Sequence, residues 1–202
     1  DPVLQPLLNG KPKAMLEIKG KTLLNRQIEM LNRNGLKYIF VVAGYRRNQM
    51  QITGATVLEN KNYSNGSMLH SIFTAKDEMT NGFIMLYSDI LLEDDILAKL
   101  LRCDQDIVLV LDNAVQYHQM EANKTVDFVI SKNRSTNSRR KIGFVWENMI
   151  SKIGNKINPK TASHEFIGLA KFSKTGAEQF IQTFDDCINN YHGNNSFAIL
   201  LN

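Results

Sequence analysis

Apolar residues change their period repeatedly along this chain, and each change marks an element. Leu16 and Ile18 alternate with Glu17 and Lys19, the spacing of a short half-buried strand that ends at Gly20. Over 21–36, Leu24, Ile28 and Leu31 fall at i, i+4 and i+7, which predicts an amphipathic helix with Thr22 as N-cap and Gly35 as its stop. The run YIFVVAGY over 38–45 is too continuously apolar for a half-exposed strand and predicts one buried on both faces. A short strand over 56–59 and a helix over 67–79, with Met68, Ile72 and Ala75 on one stripe, follow.

The segment GFIMLYSDI over 82–90 predicts another buried strand. Then come a helix over 94–102, with Ile96, Leu97, Leu100 and Leu101 inward, and a strand over 106–112. Strand and helix in alternation predict an α/β fold of parallel βαβ units, with helices on both faces of a mostly parallel sheet. After about residue 112 the alternation stops. Segments 125–132 and 141–150 read as strands divided by the polar NRSTNSRR, an antiparallel excursion beside the main sheet. A strand over 165–173 precedes a closing helix over 176–191 that carries Phe180, Ile181, Phe184 and Ile188, with Ser173 or Thr175 as its cap.

Composition narrows the class. With 202 residues, 43% of them hydrophobic and 22% charged, the chain has a core sufficient for one domain over 1–202. The net charge of +4 is small and its lysines and arginines are scattered, so a nucleic-acid partner is not expected. The tight cluster Arg139, Arg140 and Lys141 reads as a solvated loop. Cys103 and Cys187 stand far apart, without metal spacing, and are expected reduced. No stretch approaches the roughly 18 apolar residues of a membrane helix, so no membrane partner and a cytoplasmic location are expected. The oligomeric state is left open, with a homodimer one option.

In open α/β sheets ligands bind beyond the carboxyl ends of parallel strands. Asp89 stands at such an end, where it suits a divalent cation or, equally, a capping or solvated role. Asp112 occupies the corresponding place after the next strand. Gly44 and Tyr45 end a strand where a glycine admits close backbone approach to a ligand, unless they form a plain turn. Asn65, Gly66 and Ser67 precede a helix whose first amides suit an anion or a base edge, although capping alone also explains Ser67. Lys13 follows Pro12, whose fixed φ stiffens the chain; its ammonium either aims at a phosphate or points into water. His70, His118, His164 and His192 show no metal spacing and read as surface or core residues. GxxxxGK[ST] does not occur.

Taken in order, PLLNGKPKAMLEIKGKTLL, IFVVAGY and LYSDI resemble the signatures of a nucleotidyltransferase family with a Rossmann-like domain. NGSMLHSIFTAKDEM, YSDILLEDDIL, DIVLVLD and HEFIGLAKFSKTGAEQF are similar to its branch of phosphocholine and 2-aminoethylphosphonate cytidylyltransferases. The resemblance implies transfer of CMP from CTP to a small phosphate or phosphonate, with Mg²⁺ and release of pyrophosphate. By the same resemblance Lys13 holds phosphate oxygens as the catalytic cation and Asp89 binds the metal. Gly44, Tyr45, Asn65, Gly66 and Ser67 then serve the nucleotide, while Asp112, Tyr117 and Glu165 serve the acceptor. A sugar-1-phosphate nucleotidyltransferase and a non-catalytic nucleotide-binding regulatory domain are the alternatives. The family opens with a strand and a glycine-rich GxGxR loop and carries a second acidic metal ligand near its C-terminus. Both segments are expected to lie outside the chain.

Overall fold

The computed structural model of the chain describes residues 4–64, 68–113, 126–132, 149–190 and 197–201. It forms two compact units, Asp1–Asn81 with Leu86–Asp104, and Gly82–Met85 with Gln105–Asn202.

The first unit begins with α1 (Gln5–Leu8), which ends as Asn9 and Gly10 turn to positive φ. Pro12 is extended at φ −58° and ψ 149°, and a 3₁₀ turn follows at Lys13–Met15. Ala14 and Met15 enter a cluster with Leu24, Ile28 and Ile39, which anchors that turn. The strand expected up to Gly20 is only a hairpin arm. β1 (Glu17–Ile18) pairs antiparallel with β2 (Lys21–Thr22) across Lys19 and Gly20, both at positive φ.

α2 (Leu23–Arg33) starts and stops where expected. The Asn25 amide donates to Thr22 Oγ1 at 3.2 Å. At the other end Gly35 N–H bonds to Asn32 O and Leu36 N–H to Leu31 O, at 3.1 and 3.0 Å, with Gly35 at φ 88°. These are the two bonds of a Schellman stop. β3 (Phe40–Ala43) then pairs in parallel with β4 (Thr56–Glu59).

The helix expected over 67–79 is two pieces. α3 (Met68–Phe73) gives way to a 3₁₀ turn at Lys76–Met79: His70 O still accepts from the Thr74 amide at 3.1 Å and from Thr74 Oγ1 at 3.0 Å, and the next amide, Ala75, bonds only three residues back to Ile72 O at 3.1 Å. Leu69 is the buried residue of α3, and Met68, expected inward, is exposed. In α4 (Asp94–Leu101) Leu97 and Leu100 are fully buried, and Ile96 and Leu101 only half so.

The second unit holds β5 (Phe83–Leu86) through its first three residues, with β6 (Ile107–Asp112), β7 (Phe128–Ser131), β8 (Ile150–Gly154) and β9 (His164–Phe172). β9 runs through the middle of this sheet. Glu165 pairs antiparallel with Asp112 of β6 on one side and with Phe128 of β7 on the other, and β5 also joins β9. β7 and β8 are antiparallel; β7 falls within the strand expected over 125–132, while β8 begins only where the strand expected over 141–150 ends. The arm expected over 141–150 lies outside the described residues except at its last two positions.

Aromatic rings fill the core of this unit. Phe83 stacks on Phe172 at 4.4 Å between centroids, Phe180 tilts against Phe172 at 4.8 Å, and Phe197 lies 5.3 Å from Phe166. α5 (Lys174–Asn190) supplies Phe180 and Phe184 to the buried side. Its cap is Ser173, whose Oγ accepts from the Gly176 amide at 3.1 Å. The molecule is a mixed α/β fold.

Candidate active site

Lys13 opens a hydrogen-bonded 3₁₀ turn in the first unit. The Met15 amide bonds to Pro12 O at 2.8 Å and the Leu16 amide to Lys13 O at 2.9 Å, while Ala14 and Met15 are packed beneath. Lys13 itself is exposed. An exposed ammonium on a hydrogen-bonded, packed turn is equipped to meet a phosphate.

Asp89 lies in the exposed turn that follows β5. An exposed carboxylate needs no cation to offset burial, so its availability, not desolvation, fits it to a metal. Beneath the turn, the Gln27 amide donates from Nε2 to Tyr87 O at 2.8 Å and to Ile90 O at 2.7 Å. Gln27 is only 5% exposed. Just beyond, Arg33 donates to both carboxylate oxygens of Asp94, at 3.2 and 2.9 Å, and Asn34 adds a bond of 3.0 Å. The Arg33 hydrogen bond holds the Asp94 carboxyl below the ordinary carboxylate range. The end of α2 and the start of α4 are thereby joined.

Among the described residues no group of three or more His, Cys, Asp or Glu side chains converges on a metal position. Mg²⁺ held by Asp89 would therefore draw its other ligands from water and phosphate oxygens, a usual arrangement for this ion.

The third feature is the corner after β3. Gly44 has ordinary φ; its small size is required because Tyr63 packs against it. Tyr45 meets Tyr63 edge-on at 6.4 Å, and the Arg46 guanidinium lies 5.4 Å from the centre of the Tyr45 ring. Both tyrosines remain about half exposed. Lys13, Gly44, Tyr45 and Asp89 thus all belong to the first unit. Asn65, Gly66 and Ser67 lie outside the described residues, as does Tyr117.

In the second unit Asp112 and Glu165 are direct partners across β6 and β9, so their side chains share a face. Next to them, burial lowers the His164 pKa and the Asp112 carboxylate opposes that shift. His164 Nδ1 is 2.9 Å from Ser163 Oγ, which donates to Val129 O at 3.0 Å. Burial also raises the pKa of Asp127, whose Oδ1 is an enclosed atom without a hydrogen-bond partner among the described residues.

Sequence reasoning passed over Gln27, Arg46, Tyr63 and Asp127. Gln27 left a signal, being a polar residue beside Ile28 on the apolar stripe of α2. Tyr63 left none, since its partner Gly44 is known only from packing.

The family model for the MobA-like NTP transferase domain matches residues 8–142, a span that includes Lys13, Gly44, Tyr45, Asp89 and Asp112. The chain belongs to this nucleotidyltransferase family. It is 30% identical over 186 residues to the CTP:phosphoglutamine cytidylyltransferase of Campylobacter jejuni, covering 84% of this chain and 68% of that protein. With the choline-phosphate cytidylyltransferase of Streptococcus pneumoniae it shares 27% identity over 86 residues, 41% of this chain and 38% of that protein. The inositol-1-phosphate CTP transferase from T. maritima has a similar fold, with a TM-score of 0.62 at 17% identity over 86% of this chain and 66% of that one. The fold is therefore the Rossmann-like α/β arrangement of nucleotidyltransferases. No helix among the described residues is long and apolar enough to cross a membrane.

Proposed function

We propose that the chain is a Mg²⁺-dependent cytidylyltransferase acting on a small phosphorylated or phosphonylated acceptor. An acceptor oxygen attacks the α-phosphorus of CTP, the bond from that phosphorus to the oxygen bridging to the β-phosphorus breaks, and pyrophosphate leaves with the bridging oxygen. Such transfers need positioning and charge neutralisation more than covalent help from the protein. Lys13 supplies a fixed positive charge to phosphate oxygens as their charge redistributes. Asp89 would hold Mg²⁺, which when bound neutralises phosphate charge and orients the chain of phosphates. Gly44 and Tyr45 shape the nucleotide's surroundings.

The observation that carries this reading is the exposure of Lys13 and Asp89 on two structured turns of one unit, within the span matched by the family model. The preference for CTP and for amine-bearing acceptors rests on similarity to the phosphoglutamine and choline-phosphate enzymes.

Pyrophosphate release tests it, with CTP and UTP each offered phosphocholine, 2-aminoethylphosphonate, phosphoglutamine and hexose 1-phosphates. Turnover with CTP and an amine-bearing acceptor is expected. Turnover confined to a hexose 1-phosphate overturns the acceptor assignment in favour of a sugar-1-phosphate enzyme. Nucleotide binding without turnover on any acceptor would instead make it a regulatory domain.

A further inference from the structure

We propose that Gln27 is a positioning residue, whose side-chain amide fixes the turn that presents Asp89. The proposal rests on the reading of Asp89 as the carboxylate that holds the metal.

Gln27 faces inward from α2, among residues where leucine or methionine would fill the space at less cost. Burying an amide is unfavourable unless its hydrogen-bonding groups are satisfied. Here both amide protons are used, one on Tyr87 O at 2.8 Å and the other on Ile90 O at 2.7 Å. Only the NH₂ side of a glutamine can donate to two carbonyls, so chemistry decides the orientation of the amide. The two acceptors bracket Ser88 and Asp89. The held carbonyls belong to the 87–88 and 90–91 peptides, so the two bonds clamp both ends of the Ser88–Ile90 segment and narrow the range of directions open to Asp89 between them.

The helix that carries Gln27 is itself immobilised at each end. Thr22 caps its start and the Gly35 stop closes its finish. The bonds of Arg33 and Asn34 to Asp94 secure the chain four and five residues beyond the turn's last carbonyl and carboxylate-bearing position respectively. Gln27 therefore transmits the rigidity of α2 to a turn some 60 residues later in the sequence. Groups that orient a metal ligand change metal affinity by roughly 10- to 100-fold when removed.

The test uses the full chain and Mn²⁺ as the probe, titrated by EPR in the presence of CTP without acceptor. Amide hydrogen exchange over 87–90 is followed in the metal-free protein. Gln27→Met, of similar length and without a donor, is expected to weaken Mn²⁺ binding about 10-fold or more. It should also speed exchange in the turn while the amides of β3 and β4 keep their protection. If Gln27→Met fails to fold, Gln27→Glu keeps the size and removes the paired NH₂ donor, and the same two changes are expected. Unchanged Mn²⁺ affinity and unchanged turn exchange in a folded variant overturn the proposal, as does a lowered Tm with neither change. Asp89→Asn separates the two ideas. If it leaves Mn²⁺ affinity unaltered, the metal reading of Asp89 fails, and turn exchange in the Gln27 variants still decides whether the amide holds the turn.

Discussion

A β-carbon added to Gly44 would lie 2.6 Å from Cγ of Tyr63, closer than packed carbons approach. The corner after β3 therefore depends on a missing side chain. Gly44→Ala must displace Tyr63, which also meets Tyr45 edge-on. Overpacking of this kind costs about 1–3 kcal/mol. Urea denaturation should show that loss as a lower midpoint, and nucleotide affinity should fall with it. A midpoint equal to that of the parent would mean the corner yields without strain.

Lys13→Ala and Asp89→Ala should separate function from folding. Both side chains are exposed and neither contributes to a core cluster, so stability should change by no more than about 0.5 kcal/mol. Removing a preorganised charge from the transition state typically lowers kcat about 10²–10³-fold. Initial-rate assays beside thermal melts check both halves. Normal turnover by Lys13→Ala would remove its assigned role.

α2 was fully legible in the sequence because its determinants are local. Thr22, the Leu24–Ile28–Leu31 stripe and Gly35 each act within a turn or two of their own position. α3 was misread because the hydrogen-bond spacing tightens from four residues to three at Ala75, which the apolar stripe does not reveal, and because Leu69 goes inward in place of Met68. The central place of β9 was not legible, since it depends on pairing with β6, more than 50 residues earlier. The same distinction holds at the site. Pro12 announced a stiff turn at Lys13, and the apolar run before Asp89 announced that it stands just beyond the end of a strand. The amide that grips the Asp89 turn comes from another element, and no local pattern pairs Gln27 with Tyr87 and Ile90.

The cap of α2 gives a further check. Thr22→Ala deletes the acceptor of the Asn25 amide bond and should cost about 1 kcal/mol. Thr22→Ser keeps the oxygen and should recover most of that loss. Denaturant midpoints of the two variants against the parent decide it, and equal losses would show that burial of the threonine methyl, not capping, is what counts.

Asp127 makes the sharpest pH prediction. Burial raises its pKa above the ordinary 3.8, and its Oδ1 is enclosed without a hydrogen-bond partner among the described residues. The native state therefore holds a proton that the unfolded chain has released in the window between 3.8 and the raised value. Stability relative to a neutral side chain is whole below that window and is lost as the pH rises through it. Above that window the native protein bears the cost of a half-buried carboxylate. Asp127→Asn, nearly isosteric and neutral, should then be more stable than the parent at neutral pH, with the advantage shrinking as the pH falls toward the unfolded pKa. Melting curves of both proteins across that range test the sign. An advantage that grows on acidification would show that the Asp127 carboxylate gains a partner in the native state that outweighs its burial.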